Sequence, residues 1–247
     1  MRTPELRICG MAAVRARFQT DPGSILRLYF DEATSRKIGL MCRALAAARK
    51  IYRRVEPDEL AKVAGTLHHG GIVAVVEAPR PRSATAAEAA AWARRREAVV
   101  VLDQIGNAHN LGAIARTAAF FGVAHLVITG GPAAAQPGEA AYRVAEGGLE
   151  FLKIWTAADA GVFLGALAEA GYDVVGAATR GGKAAAGGRR PAAPWALVLG
   201  NEEFGLSPAA AAACTRLRTI QGAGRVESLN VSAAAAVLMG ELGGRTG

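Results

Sequence analysis

After residue 98 the sequence repeatedly sets short, almost unbroken aliphatic runs between longer segments of helical period. The runs are AVVVLD (98–103), HLVIT (125–129), LKIW (152–155), DVVGAAT (173–179), WALVLG (195–200) and RLRTI (216–220). A strand with one wet face alternates apolar and polar side chains; a strand covered on both faces has no such need. Helical segments are expected over 111–121, 159–170 and from about 229 onward. Strand and helix in alternation, with strands apolar on both sides, predict an α/β architecture. Its sheet is mostly parallel and covered by helices on both faces.

Residues 6–77 read as a separate, smaller α/β unit. Strands are expected at LRICG (6–10), ILRLYFD (25–31), IYRRVE (51–56) and GGIVAVVEA (70–78), with helices over 11–19, 34–49 and from Pro57-Asp58. Basic residues recur through it, among them Arg15, Arg17, Arg27, Arg36, Lys37, Arg43, Arg49, Lys50, Arg53 and Arg54. Between the two units, APRPRSATAAEAAAWARRRE (78–97) has no strand pattern and opens on Pro and Arg. It reads as a linker holding a short helix from 85 to 96. The expected division is therefore 1–77, a linker at 78–97, and 98–247.

The chain carries a formal net charge of +8, which favours an acidic partner, nucleic acid first among them. A GC-rich genome, which enriches Arg, Ala and Gly, accounts for the same excess. Three widely separated cysteines form no C-x-x-C pair, so neither a disulfide framework nor structural zinc is expected, and a reducing cytoplasm fits. No apolar run is long enough to span a membrane, and none resembles a signal peptide.

Three polar constellations interrupt the apolar pattern, each at or after the C-terminal end of a strand, the edge where open α/β sheets bind ligands. In DQIGNAHNLGAIARTAAFFGV (103–123), Leu111, Ile114, Ala115 and Ala118 make one helical stripe. Arg116 projects roughly 150° away from that stripe, at about 100° per residue, and Asn110 is placed as a cap. A capped amphipathic helix with a surface Arg explains this stretch equally. In LVLGNEEFGLS (197–207), Gly200 permits close backbone approach, and Glu202 and Glu203 follow a buried strand, where they need partners or solvent. In TIQGAGRVESLNVSAAAAV (219–237), a glycine loop leads to Ser228 and Asn230 at the start of an alanine-rich helix slim enough for close packing.

Other chemistry-bearing patterns fail on spacing. GGKAAAGGRR (181–190) lacks the phosphate-loop spacing and reads as a flexible basic loop. His68 and His69 have no metal spacing with His109 or His125. There is no G-x-S-x-G elbow.

NLGAIARTAAFFGV, LVLGNEEFGLS and RVESLNVSAAAAVL resemble, in order and strand context, the three motifs of the SpoU-type (TrmH-like) RNA ribose 2′-O-methyltransferases, over residues 98–242. The N-terminal unit is similar to the ribosomal-protein-like RNA-binding domain of such enzymes, with His69 in HHGGIVAVV where relatives carry Gln. AYRVAEGGLEFLKIW (141–155) departs from the Ser-x-Gly-Ala-like segment of many relatives and resembles an orphan-like subgroup.

The resemblance implies a deep trefoil knot in a SPOUT-type C-terminal domain, S-adenosylmethionine as cofactor, a homodimer, and tRNA or rRNA as substrate. It implies that Asn110, Arg116, Glu202, Ser228 and Asn230 are the polar active-site residues. It further implies that Thr129, Gly130, Leu199, Gly200, Ile220, Ser228 and Leu229 line the cofactor. The expected reaction is methylation of a ribose 2′-hydroxyl, with no metal and no membrane, in the cytoplasm. Arg116 is either the base or an electrostatic stabiliser of the 2′-oxygen. The alternative is an RNA-binding protein that keeps the fold without efficient catalysis.

Overall fold

The computed structural model describes residues 4–184 and 193–243. The Gly-rich loop expected at 181–190 therefore lies partly outside the described residues.

The N-terminal unit contains β1 (Glu5–Cys9), α1 (Met11–Thr20), β2 (Ile25–Phe30), α2 (Glu32–Ser35), α3 (Gly39–Ala47), β3 (Ile51–Arg54), α4 (Pro57–Ala64) and β4 (Ile72–Glu77). The sheet order is β1-β4-β2-β3, with β4 antiparallel to both neighbours and β3 parallel to β2. β4 reads IVAVV because both its faces are covered. Ile72, Ala74 and Val76 join the main core with Ile8 and Val14, and Val73 packs with Leu60 and Ala64 of α4 on the other side. The helix expected over 34–49 is broken in two. Asp31 caps α2 by accepting from the Thr34 backbone at 2.8 Å, and the break turns Ile38 into the core, where it is 1% exposed.

The following segments are β5 (Arg82–Ser83), α5 (Ala86–Arg94), β6 (Val99–Asp103), α6 (Ala108–Phe120), β7 (His125–Thr129), α7 (Glu139–Ala145) and β8 (Lys153–Thr156). Then come α8 (Ala160–Glu169), β9 (Asp173–Ala177), β10 (Lys183–Ala184), β11 (Trp195–Gly200), α9 (Pro208–Ala213), β12 (Arg216–Thr219) and α10 (Val231–Gly243). The eight strands form one sheet in the order β10-β12-β9-β11-β6-β7-β8-β5, parallel throughout. Alternate residues of the aliphatic runs feed the two cores, as a period of two requires. Val100, Leu102, Leu197 and Leu199 pack with α6 and α10, while Val99, Val101, Ala196 and Val198 pack with α5, α8 and α9.

Residues 78–97, expected as a linker with a helix, contribute β5 at the edge of this sheet, and α5 packs against α8. The reason is Trp92, 2% exposed, whose ring stacks on His125 at 4.0 Å. No helix among the described residues is long and apolar enough to cross a membrane.

The order places β6 between β7 and β11, so the chain leaves β6 toward one side and later returns on the other. Such a reversal opens a crevice at the C-terminal strand ends. After β12 the chain comes back from beyond β9, and α10 packs on α6 and β11.

Candidate active site

Register aligns Thr129, Asp103 and Gly200 across the ends of β7, β6 and β11. Asp103 is 1% exposed, and burying a carboxylate without partners is costly. Both its oxygens are used: one accepts from the Thr129 hydroxyl at 3.1 Å, the other from the Ser207 backbone N–H at 2.7 Å. Ser207 in turn caps α9. Asp103 thus pins the ends of β6 and β7 to the loop after β11. This residue was missed in the sequence, where it is one polar letter closing an aliphatic run.

The loop after β11 folds sharply back. A Cβ on Gly200 would lie 2.2 Å from the Gly205 carbonyl carbon, so only glycine fits there. Asn201 shapes the turn by accepting from the Glu203 and Phe204 backbone N–H groups at 2.9 and 3.1 Å. Its side-chain amide donates to the Gln104 carbonyl at 2.8 Å. Gln104 itself holds a φ of 60°.

That turn aims Glu202 at the start of α6. Its carboxylate accepts from the backbone N–H of Gly106 and Asn107, both at 3.3 Å, and from the Asn110 side-chain amide at 2.8 Å. Partial burial pushes the Glu202 carboxyl up, but these hydrogen bonds outweigh it and hold it below the usual carboxylate range. A charge at a helix N-terminus is further favoured by the helix dipole.

The Asn110 side-chain carbonyl accepts from the Asn230 amide at 3.1 Å. The Asn230 side-chain oxygen accepts from the Ser232 backbone N–H at 2.9 Å and hydroxyl at 2.6 Å, which makes Asn230 the cap of α10. Two expectations about helix starts are corrected here. α6 begins at Ala108 with Asn107 as its cap, accepting from the His109 N–H at 2.8 Å, so Asn110 is freed from capping to bridge. α10 begins at Val231 rather than near 229.

Asn110, Glu202 and Asn230 are therefore brought into one hydrogen-bonded chain drawn from three segments. Ser228 is exposed two residues before Asn230 and stands outside that chain. Arg116 lies elsewhere on α6, with a side chain 58% exposed, and pairs with Glu146 at 3.0 Å. Of the residues expected around a cofactor, Thr129 and Leu199 are buried, and the Thr129 hydroxyl is committed to Asp103. Gly130 holds a φ of 102° at the same edge. Residues 221–230 are exposed throughout, Leu229 among them at 49%. Among the described residues no cluster of His, Cys, Asp and Glu is arranged to hold a metal ion.

The two units meet through α7 and the turn after it. Arg17 of α1 pairs with Glu150 at 2.9 Å, both side chains nearly fully buried, and donates to the Tyr142 hydroxyl at 3.3 Å. Arg7 pairs with Glu139 at 2.6 Å.

Comparison with known proteins gives a consistent result. The profile of the SpoU rRNA Methylase family matches residues 97–240, and that described as RNA 2′-O ribose methyltransferase substrate binding matches residues 7–82. The chain is 36% identical over 241 residues to an Escherichia coli O157:H7 protein called uncharacterized tRNA/rRNA methyltransferase YfiF, spanning 97% of this chain and 68% of that one. A Haemophilus influenzae protein called uncharacterized tRNA/rRNA methyltransferase is 36% identical over 70% of this chain, which spans 48% of its length. The 23S rRNA (guanosine-2′-O-)-methyltransferase RlmB of Nitrosomonas europaea is 31% identical over 95% of this chain and 89% of its own. The AdoMet-bound rRNA methyltransferase from Sinorhizobium meliloti shares the fold with a TM-score of 0.75, at 22% identity over 96% of this chain and 86% of its own.

Proposed function

The chain belongs to the SpoU rRNA methylase family, and from that premise we propose that it transfers a methyl group from S-adenosylmethionine to a ribose 2′-hydroxyl in structured RNA, tRNA or rRNA. The observation that carries the reading is the hydrogen-bonded chain Glu202–Asn110–Asn230, which draws the three sequence motifs to one strand edge.

The same edge fits a nucleoside cofactor. Residues 221–229 contribute no backbone N–H to a backbone carbonyl among the described residues, and their surface carries the exposed apolar side chains of Val226 and Leu229. Unengaged amides and carbonyls read the edge of a base, and aliphatic side chains cover its faces. Gly130, Gly200, Ile220, Ser228 and Leu229 would hold it with side chains or backbone, and Thr129 and Leu199 through backbone alone. When bound, the sulfonium supplies the methyl group.

The chain's own task is positioning and charge. Methyl transfer is a displacement, so holding oxygen, carbon and sulfur in line supplies much of the rate. Arg116 stays protonated in a protein setting, which argues against a base and for binding the RNA phosphate and stabilising negative charge on the 2′-oxygen. Glu202, Asn110 and Asn230 hold the loops that carry the cofactor. Residues 1–77 bind the RNA, 78–97 join the units, and 98–247 carry the reaction, with the C-terminal segment knotted.

A homodimer with shared sites completes the reading. Phe120, at the end of α6, is 83% exposed, Val237 of α10 is 46% exposed, and the Phe121 ring packs over Gly240 of α10. An apolar, closely packed pair of helices is suited to meet its own copy across a two-fold axis. Incubating the protein with labelled S-adenosylmethionine and unmodified rRNA and tRNA transcripts tests the proposal, with 2′-O-methylated nucleotides as the readout.

A further inference from the structure

Glu146 holds a φ of 44°, in the left-handed region that favours glycine. It directly precedes Gly147, at φ 94°, and Gly148, so the bend is one that glycine would adopt without steric cost. A side chain kept at such a position points to a use for it. The Glu146 carboxylate meets Arg116 Nη2 at 3.0 Å.

The bend is fixed against its surroundings at the level of the backbone. A Cβ on Gly148 would lie 2.7 Å from the Arg116 Cα, and one on Gly112 would lie 2.5 Å from the Ala141 carbonyl oxygen. α6 is therefore seated on α7 and the bend with no room to slide. On the other side, a Cβ on Gly147 would lie 2.9 Å from the Ala16 side chain of α1, and Glu150 is buried against Arg17 of the same helix. Glu146 is thus anchored to both units while its side chain reaches a guanidinium in solvent.

We propose that Glu146 is a positioning residue for Arg116: it holds one edge of the guanidinium so that the other edge faces the RNA. The inference rests on the methyltransferase reading above. An arginine presents five donors in a flat fork, and one carboxylate occupies only part of it. Free in solvent, the long side chain would have to be ordered as charge develops on the 2′-oxygen, which raises the barrier; held beforehand, it is already in place. An exposed ion pair contributes little to folding stability, so the effect falls on turnover rather than on the fold.

The test compares wild type with Glu146→Gly, Glu146→Gln and Arg116→Ala in full-length protein, on unmodified 16S and 23S rRNA transcripts and a mixed set of tRNA transcripts. Glu146→Gly relaxes the bend, so the melting temperature holds or rises. kcat falls about tenfold or more, while the RNA KM and the cofactor Kd stay within about twofold of wild type, a small shift on the affinity scale. Glu146→Gln keeps an acceptor and recovers part of the loss. In the Arg116→Ala background, Glu146→Gly costs nothing further, because the two act through one interaction. Wild-type kcat in Glu146→Gly, or an equal loss in the Arg116→Ala background, overturns the role. A wild-type protein that binds cofactor yet methylates none of these RNAs contradicts the reaction itself, and the role falls with it.

Discussion

Asn230 donates a hydrogen bond from its side-chain amide to the side-chain carbonyl of Asn110 at 3.1 Å, across 120 residues of chain. With its other end Asn110 donates to Glu202 at 2.8 Å, so one small side chain joins the start of α6, the loop after β11 and the start of α10. Those segments carry the three motifs. A bridge of this kind makes their positions depend on each other.

That dependence is measurable. Asn230→Ala removes both the cap of α10 and the bridge, and should destabilise the protein by about 1–2 kcal/mol. Asn110→Ala should cost about 1 kcal/mol. Because they share a bond, the double variant should be less damaged than the sum by about 0.5 kcal/mol or more. Urea denaturation of the four proteins gives the cycle, and strictly additive losses would argue against the bridge.

Arg116 does not join that chain of hydrogen bonds within its own subunit, a separation that the proposed shared-site dimer would account for. Arg116→Ala should bind cofactor normally and transfer little methyl, whereas Glu202→Ala with Asn230→Ala should damage the cofactor side. Mixed dimers of the two should recover about half of wild-type activity, since one of two sites is then whole. Tag-purified heterodimers that stay inactive would show Arg116 acting within its own subunit.

At the opposite end of the strands, His125 is fully buried. Its Nδ1 accepts from the Trp155 indole N–H at 3.1 Å, and its Nε2 lies 3.0 Å from Glu97. Burial pushes the imidazole down, while hydrogen bonds from Arg95 and His125 hold the Glu97 carboxyl at about 2. At these two groups the unfolded chain then binds more protons than the folded one below the ordinary histidine value, whereas buried Glu150, pushed up to about 7, acts in the opposite sense. The stability that His125 contributes should fall as pH drops below about 6.5, and that of Glu97 from about 4.5 toward its folded value. In Glu150→Gln, which removes the opposing titration, denaturation midpoints between pH 7.5 and 4 check the slope. A His125 ring that titrates at or above its ordinary value by NMR would contradict it.

The parallel sheet was legible because covered strands can be apolar on both faces, and AVVVLD and WALVLG show just that. The cores did not depend on anything subtler than this. What stayed hidden depends on partners far apart in sequence. Asp103 meets Thr129 and Ser207, 26 and 104 residues away. Asn107 and Asn110 are both plausible caps until Glu202 claims one of them. Trp92 looked like part of a linker because its ring partner, His125, belongs to another strand. Glu146 gave a signal, a charged residue before two glycines, but only the backbone angle and Arg116 give it meaning.

The central claim is that this chain methylates a ribose oxygen of RNA. The direct measurement incubates the protein with methyl-labelled S-adenosylmethionine and unmodified 16S, 23S and tRNA transcripts, then digests the RNA with alkali. A 2′-O-methyl group blocks cleavage at its own nucleotide, because the attacking hydroxyl is gone. The account predicts label in an alkali-resistant dinucleotide at a defined position, lost when that nucleotide is made 2′-deoxy and in Arg116→Ala. Label in a base, or none from protein that binds the cofactor, would contradict it.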